Sequence, residues 1–413
     1  MRKGVLVVLG VFLALGFWIG ASPILVEGGS DKTVIVPYLL GLTGTAAQFG
    51  AVGKLGVELA ENAINESGGI KSLGGARLKV EIVDHQSKQD IAFNRARELA
   101  RRDEIALVAG AMMGAATLAA TEAAERAKLP FLVDGSNDDQ ITSRGFRYLV
   151  NLSMPMSGAA INSVKGLREL SDKYGWNLRN VVILVHDDPP GPSALKGVEK
   201  VVGQYRFNVI GTFRYAETTT DFSPTISQIR ALKPDVVLQQ SFPSSALLIT
   251  KTMAEMQYNP PAIFGIMAGH SLNNYVKELG PNADGTIFTT YWAPDLDFKG
   301  ARDFSRRWKK AGYGGVPDPF AALGYRTIIA AAQILEKAGS LNRETVLATM
   351  KNLDVQEGDW PLYPFIGGIK FNEAGQNVRD KVVIAEWIDG QPRSIWPFET
   401  AAGKPLFPKL NWR

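Results

Sequence analysis

With 413 residues, 46% of them hydrophobic and 21% charged, the chain is too long for one ordinary core and has the apolar material for two. Its 45 basic and 41 acidic residues leave a net charge of +4, and basic runs stop at pairs such as Arg101-Arg102 and Lys309-Lys310, which argues against a nucleic-acid-binding stripe. The lack of cysteine excludes a disulfide framework, a thiolate zinc site and a thiol nucleophile.

The first 29 residues predict an export signal or N-terminal anchor. Met1-Arg2-Lys3 is a positive start, residues 5–19 are uncharged and apolar, and Gly20-Ala21-Ser22 are small. The apolar run is short against the roughly 20 residues a membrane span needs. From residue 32, short apolar runs alternate with longer amphipathic ones. Strands are predicted at 33–39, 78–83, 105–109 and 129–133, with helices at 53–65, 91–100 and 114–128 between them. The rhythm restarts after Pro155. Helices at 156–174, 193–205, 226–232 and 244–256 interleave with strands at 181–185, 208–213, 235–238 and 262–266. The run Val181-Val182-Ile183-Leu184-Val185 is wholly apolar, as in a parallel sheet covered on both faces. A strand at 286–291 precedes helices at 303–311, 319–338 and 343–353, and 369–371 with 381–388 predicts a closing hairpin. Two such α/β series meeting near 151–156 predict two doubly wound parallel-sheet lobes.

Candidate chemistry concentrates where strands end. The glycine-rich turn Gly41 to Gly50 sits between a strand and a helix but lacks both G-x-x-x-x-G-K-[ST] and G-x-G-x-x-G. It therefore offers backbone N–H donors rather than a nucleotide site. His186-Asp187-Asp188 stands at a sheet edge where a metal or acid–base pair could be imagined; with Pro189-Pro190-Gly191 after it and no second ligand nearby, it reads as a turn. Asp134 to Asp139 is dense in groups that bond a ligand or cap a helix, and Ser136 and Asn137 are open to either role. No nucleophile–base pair or metal set can be assembled, so no enzyme, cofactor or metal is expected.

Motifs along the chain resemble the branched-chain amino-acid type of periplasmic solute-binding proteins of ABC transporters, the type I group. They are Gly44-x-x-x-Gln48-Phe49-Gly50; Gly56-x-x-x-Ala60-x-x-x-Ile64-Asn65 with Gly68-Gly69-Ile70; the strand at 78–84; Ala109-Gly110 and Thr117; Lys128-Leu129-Pro130-Phe131; Ile141-Thr142-Ser143-Arg144-Gly145; Asp221-Phe222-Ser223-Pro224 with Ile229; Pro234-Asp235-Val236-Val237; and Ile369-x-Phe371-Asn372-x-x-Gly375-Gln376-Asn377. Each is weak alone; their order carries the resemblance. It implies two lobes joined by three crossovers: one of 31–152 plus 286–358, the other of 153–285 plus 359–395, with a C-terminal tail at 396–413. It also implies a ligand trapped by hinge closure, an ABC permease in the inner membrane as partner, a periplasmic location and a monomer.

Carried over by position, the resemblance implies ligand contacts at Gln48, Phe49, Met113, Gly114, Thr117, Gly135, Ser136, Asn137, Pro190, Phe242 and Met267. Three departures stand out. The hydroxyl-rich turn of the family reads Met112-Met113-Gly114-Ala115-Ala116 here, the acidic residue facing an α-ammonium group falls near Met267-Ala268, and a tyrosine gives way to Pro189-Pro190-Gly191. An unpaired buried ammonium costs several kcal/mol. The expected ligand is therefore an aromatic or aliphatic acid, an amide or a urea-like solute, unless Asp134 or Asp187 supplies the missing carboxylate. A ligand-sensing domain of the same fold is the alternative to a transport receptor, and the export signal favours the receptor. Tyr291-Trp292 at the second crossover reads equally as hinge or core.

Overall fold

Strand pairing runs in two large sheets and one two-stranded sheet in the computed structural model, which describes Met1 and residues 32–187, 189–216 and 218–413. Apart from Met1, the expected N-terminal signal lies outside the described residues. Among them, no helix is long and apolar enough to cross a membrane.

The first series is β1 (Thr33–Leu40), α1 (Ala47–Glu66), β2 (Arg77–Asp84), α2 (Gln89–Ala100), β3 (Val108–Gly110), α3 (Gly114–Arg126), β4 (Phe131–Val133), the short α4 (Gln140–Ser143) and β5 (Leu149–Asn151). Its strands form one parallel sheet in the order β2-β1-β3-β4-β5. The second is α5 (Met156–Tyr174), β6 (Asn180–His186), α6 (Pro190–Val201), β7 (Asn208–Tyr215), α7 (Ser223–Leu232), β8 (Val236–Gln240), α8 (Pro243–Glu255), β9 (Ala262–Gly265), α9 (Asn273–Leu279) and β10 (Thr286–Thr290). The chain then returns through α10 (Lys299–Ala311), α11 (Pro319–Ala338) and α12 (Arg343–Lys351). It closes with β11 (Asp354–Val355), β12 (Ile369–Lys370), β13 (Val383–Ile388) and β14 (Gln391–Trp396).

Two expectations need correcting. Thr286–Thr290 pairs with β9 and β13 inside the seven-stranded sheet β14-β13-β10-β9-β8-β6-β7, so the chain leaves the second sheet after β10 rather than before it. The closing hairpin is β13 with β14, whereas Ile369 and Lys370 pair antiparallel with Val355 and Asp354. The sequence pattern misses β14 because Pro392 and Arg393 interrupt its apolar run; the proline is tolerated there because β14 is the edge of the sheet. The antiparallel pairs β10–β13 and β13–β14 make the second sheet mixed.

Two of the three crossovers converge on one buried side chain. Arg326 of α11 is fully buried; its Nη1 donates to Asp380 Oδ1 at 3.0 Å, and its Nη2 donates to Ser153 Oγ at 2.6 Å and Asp134 O at 3.1 Å. Asp380 Oδ2 in turn accepts from Met154 N at 2.8 Å. The second crossover is tied by Tyr291, whose hydroxyl donates to Gly135 O at 3.0 Å. Beyond β14 the tail binds the second lobe: Leu406 N donates to Glu386 Oε2 at 2.7 Å, Lys409 Nζ to the carbonyls of Asn282 and Asp284 at 3.0 Å each, and Trp412 Nε1 to Tyr258 O at 2.9 Å.

Helix α11 packs against α1 along glycines. A Cβ on Gly56 would stand 1.8 Å from Ala321 O, and one on Gly324 2.5 Å from Gly53 O. Gly56→Ala is expected to destabilise the protein by about 1–3 kcal/mol in urea unfolding, because neither backbone can retreat without disturbing the sheet beneath. A second prediction concerns pH. Burial, with both ring nitrogens unpartnered, pushes the His270 imidazole down to about 3. The unfolded chain protonates this residue near 6.5 and the folded one only near 3, so its contribution to stability is full above about pH 6.5 and is lost as pH falls towards 3, by roughly 1.4 kcal/mol per unit. Denaturant titrations at pH 7 and pH 4.5 should show that loss, and His270→Leu should reduce it.

Candidate functional site

The C-terminal ends of both sheets face a cavity of ≈ 430 Å³. From the first lobe, its wall takes the loop feeding α1 (Gly44 to Phe49), the loop feeding α3 (Met112 to Ala115) and Gly135-Ser136-Asn137 after β4. From the second it takes Pro189-Pro190, Gln240, Phe242-Pro243-Ser244 and Met267. Met156, Tyr291 and Phe320 complete it.

Ten of the eleven residues expected at the ligand, all but Thr117, line this cavity. Thr117 lies one helical turn further along α3, fully buried, with its hydroxyl donating to Met113 O at 2.9 Å. Its position in the motif is occupied, but its hydroxyl is spent on its own helix. Wall residues outside that set include Gln240, Met112, Met156, Pro243, Ser244, Tyr291 and Phe320. Two of them had a signal: Gln240 is the last residue of a buried strand, at a sheet edge, and Tyr291 stands at the second crossover.

Each loop is held from behind. Asp84 accepts from Leu42 N at 2.9 Å and from Thr43 Oγ1 at 2.8 Å. His85 accepts from Ser87 N through Nδ1 at 3.2 Å and so donates from Nε2 to Ala111 O at 3.0 Å; burial lowers its pKa, in keeping with a neutral ring. Asp134 is fully buried: Oδ1 accepts from Met112 N at 2.9 Å and Oδ2 from the Tyr38 hydroxyl. Burial raises its pKa. Two wall residues, Met112 (φ 61) and Met267 (φ 58), adopt the left-handed backbone region, which costs a side-chain-bearing residue on the order of 1 kcal/mol or more.

Aromatic pairs flank the cavity on both sides. Phe49 and Phe320 stand 4.5 Å apart on the first lobe, and Phe242 stacks on the buried His186 at 4.3 Å on the second. Four methionines, Met112, Met113, Met156 and Met267, add soft, polarisable surface suited to an aromatic or branched ligand body.

No Asp, Glu, Lys or Arg is on the wall among the described residues. The two carboxylates considered as substitutes for the missing one are engaged elsewhere. Asp134 points into the core, and Asp187 is half exposed and paired with Arg214 Nε at 2.8 Å. Asp188 lies outside the described residues. Among those residues, no group of three metal-ligating side chains stands close enough to hold an ion. Four helices, α1, α3, α6 and α8, begin at this cavity. None has a side-chain cap hydrogen bond or an acidic residue in its first turn; α6 and α8 open on prolines, which carry no N–H, so the free leading N–H groups at the wall belong chiefly to α1 and α3.

Comparison with known proteins agrees with this architecture. A family model described as periplasmic binding protein matches residues 33–392. The Leu/Ile/Val-binding protein homolog 8 of Brucella abortus (strain 2308) is 26% identical over 377 residues, spanning 89% of this chain and 91% of the relative. The branched-chain amino acid transporter substrate-binding protein LivJ from Streptococcus pneumoniae, solved with isoleucine, superposes with a TM-score of 0.75 at 20% identity, covering 91% of this chain and all of that one. A solute-binding protein of an ABC transporter from R. palustris, solved with benzoate, gives a TM-score of 0.72 at 20% identity over 91% of this chain and 98% of the other.

The two acidic residues near the cavity should separate cleanly by mutation. Asp134→Ala leaves Met112 N and the Tyr38 hydroxyl without their acceptor and is expected to cost about 2–5 kcal/mol in urea unfolding. Asp187→Ala, losing one exposed pair, should stay within about 1 kcal/mol of the parent.

Proposed function

The chain belongs to the periplasmic binding protein family, and from that premise we propose that it captures a small organic solute between its two lobes and presents it to an ABC transporter permease. The family is one of non-enzymatic solute-binding proteins that serve transporters. In this reading the protein works in the periplasm as a monomer. The lobes close about the three crossovers, and the cavity residues Gln48, Phe49, Met113, Gly114, Gly135, Ser136, Asn137, Pro190, Phe242 and Met267 form the binding site.

The solute has an apolar, aromatic or branched body, a polar end that accepts hydrogen bonds, and no ammonium group. One observation carries this: among the described residues the wall holds no carboxylate, while the uncapped starts of α1 and α3, and those of α6 and α8 beyond their leading prolines, lie at the cavity. Helix N-termini favour ligand acceptors and disfavour a second cation. An α-ammonium group enclosed here would lose its water without gaining a counter-charge. Benzoate in the R. palustris relative is a ligand of this general kind.

Isothermal titration with matched pairs tests the reading. Phenylalanine is compared with 3-phenylpropanoate and 3-phenylpropanamide, and leucine with 4-methylpentanoate and 4-methylpentanamide. A penalty of several kcal/mol for the unpaired ammonium predicts that the better amine-free partner binds at least about 100-fold tighter than the amino acid. Leucine or phenylalanine binding as well as both of its amine-free partners would sink the proposal.

A further inference from the structure

Helix α10 carries six cations (Lys299, Arg302, Arg306, Arg307, Lys309 and Lys310) against one carboxylate, Asp303. Its inner face is Gly300, Ala301, Asp303, Phe304 and Trp308, all buried, whereas five of the cations, all but Arg307, are exposed. At about 3.6 residues per turn and about 1.5 Å per residue, those five fall within an arc of about 100° that runs about 16 Å along the axis, and no other residue of the helix lies inside it. Successive members stand three or four positions apart, where like charges destabilise a helix.

The carboxylates around this stripe are already engaged. Asp303 lies beneath it and holds Arg306 and, at 2.8 Å, Arg307 Nε. Glu66 takes Arg307 Nη1 at 2.6 Å, Asp297 takes Arg302, and Glu58 takes Lys54. Lys299, Lys309 and Lys310 have no ion pair among the described residues. The helix also has a fixed course. At its start a Cβ on Gly300 would stand 1.9 Å from Tyr363 O of the third crossover. Further on, Arg307 reaches Glu66 at the foot of α1. The chain then turns at Gly69, where a Cβ would stand 2.3 Å from Ala76 O, and the next residue, Arg77, donates its N–H to Lys32 O at 2.9 Å. The stripe therefore runs from the crossovers to the end of the first lobe at which the N-terminal segment, expected to be an export signal or anchor, joins β1.

We infer that the exposed face of α10 is a contact surface for an anionic phospholipid bilayer. A flat array of phosphate groups meets all five side chains at once and relieves their mutual repulsion, each cation contributing on the order of fivefold in affinity. One acidic side chain of a protein partner would meet only part of so long an arc. None of the five residues lines the cavity, so the contact leaves the solute site open. The inference extends the transport reading, since a receptor that serves a membrane permease works beside such a surface, and it does not depend on which solute the cleft binds.

The test is co-sedimentation of the mature protein, as recovered from the periplasm, with vesicles of phosphatidylcholine alone or with about 30% phosphatidylglycerol. The variant Lys299→Gln/Lys309→Gln/Lys310→Gln removes three stripe cations that hold no ion pair, so the fold is kept. The control Lys196→Gln/Lys200→Gln/Lys277→Gln removes three exposed cations from the second lobe and has the same net charge. In about 0.1 M salt the parent should bind the anionic vesicles at least about 10-fold more tightly than the neutral ones. It should lose that margin in about 1 M salt, where the screening length falls from about 10 Å to about 3 Å. The stripe variant should bind the anionic vesicles at least about 10-fold more weakly than the parent, and the control within about threefold of it. A parent without preference for anionic vesicles overturns the inference, as does a stripe variant that binds like the parent. A control that loses as much as the stripe variant overturns it too, by reducing the effect to net charge. Binding to poly-glutamate through the same lysines without binding to the vesicles would assign the stripe to an acidic protein partner, and the inference falls. Every one of these results leaves the solute titrations as they stand.

Discussion

The guanidinium of Arg326 is the point on which the two-lobed architecture hangs. It is fully buried, lies over the Phe365 ring at 4.1 Å, and joins the first crossover at Ser153 to the third at Asp380. A buried cation is tolerable only where most of its hydrogen bonds are met, and here a carboxylate, a hydroxyl and a backbone carbonyl take Nη1 and Nη2 while Nε has no partner. The carbonyl belongs to Asp134, whose side chain holds Met112 N. The crossovers and the loop behind the wall therefore share a residue: the backbone of Asp134 faces the crossovers and its carboxyl holds the loop that lines the cavity. Tyr291 repeats the arrangement at the second crossover by bonding Gly135 O while itself lining the cavity.

Around that fixed centre the cleft is electrostatically spare. Charge is supplied by helix ends rather than by side chains, and the apolar surface is supplied by aromatic rings and thioethers. Helix dipoles are short-ranged and cannot be rotated away, so they act as permanent donors whose positions are set by the sheets. Each sheet holds its loops at the same level, which lets two unrelated stretches of chain, one after β4 and one after β8, address a single small molecule.

Much of this was legible in the sequence. The alternation of apolar runs and amphipathic stretches marked the sheets, because buried parallel strands such as Val181 to Val185 have no polar face to confuse with anything else. The wall residues were legible because strand ends and the glycine-rich turns after them are local features. What the sequence hid was long-range. Thr286–Thr290 reads identically in either sheet, and only its pairing with β9 and β13 decides. Phe320 and Met156 look like ordinary first-turn helix residues until the crossovers bring their helices to the cavity. Thr117 misled in the opposite sense, since a hydroxyl one turn into a helix has a backbone carbonyl of its own within reach.

The two left-handed methionines of the wall, one in each lobe, have a consequence for how such a receptor changes over time. Their backbone is set by the flanking strands and loops, while the side chain they carry is unbranched and free to turn. Residues branched at Cβ fit that backbone badly, whereas asparagine, glycine and other slim side chains enter it readily. Drift at these two positions is thus channelled: the outline of the cleft is inherited almost unchanged, and the chemistry presented to the solute can be exchanged one thioether at a time.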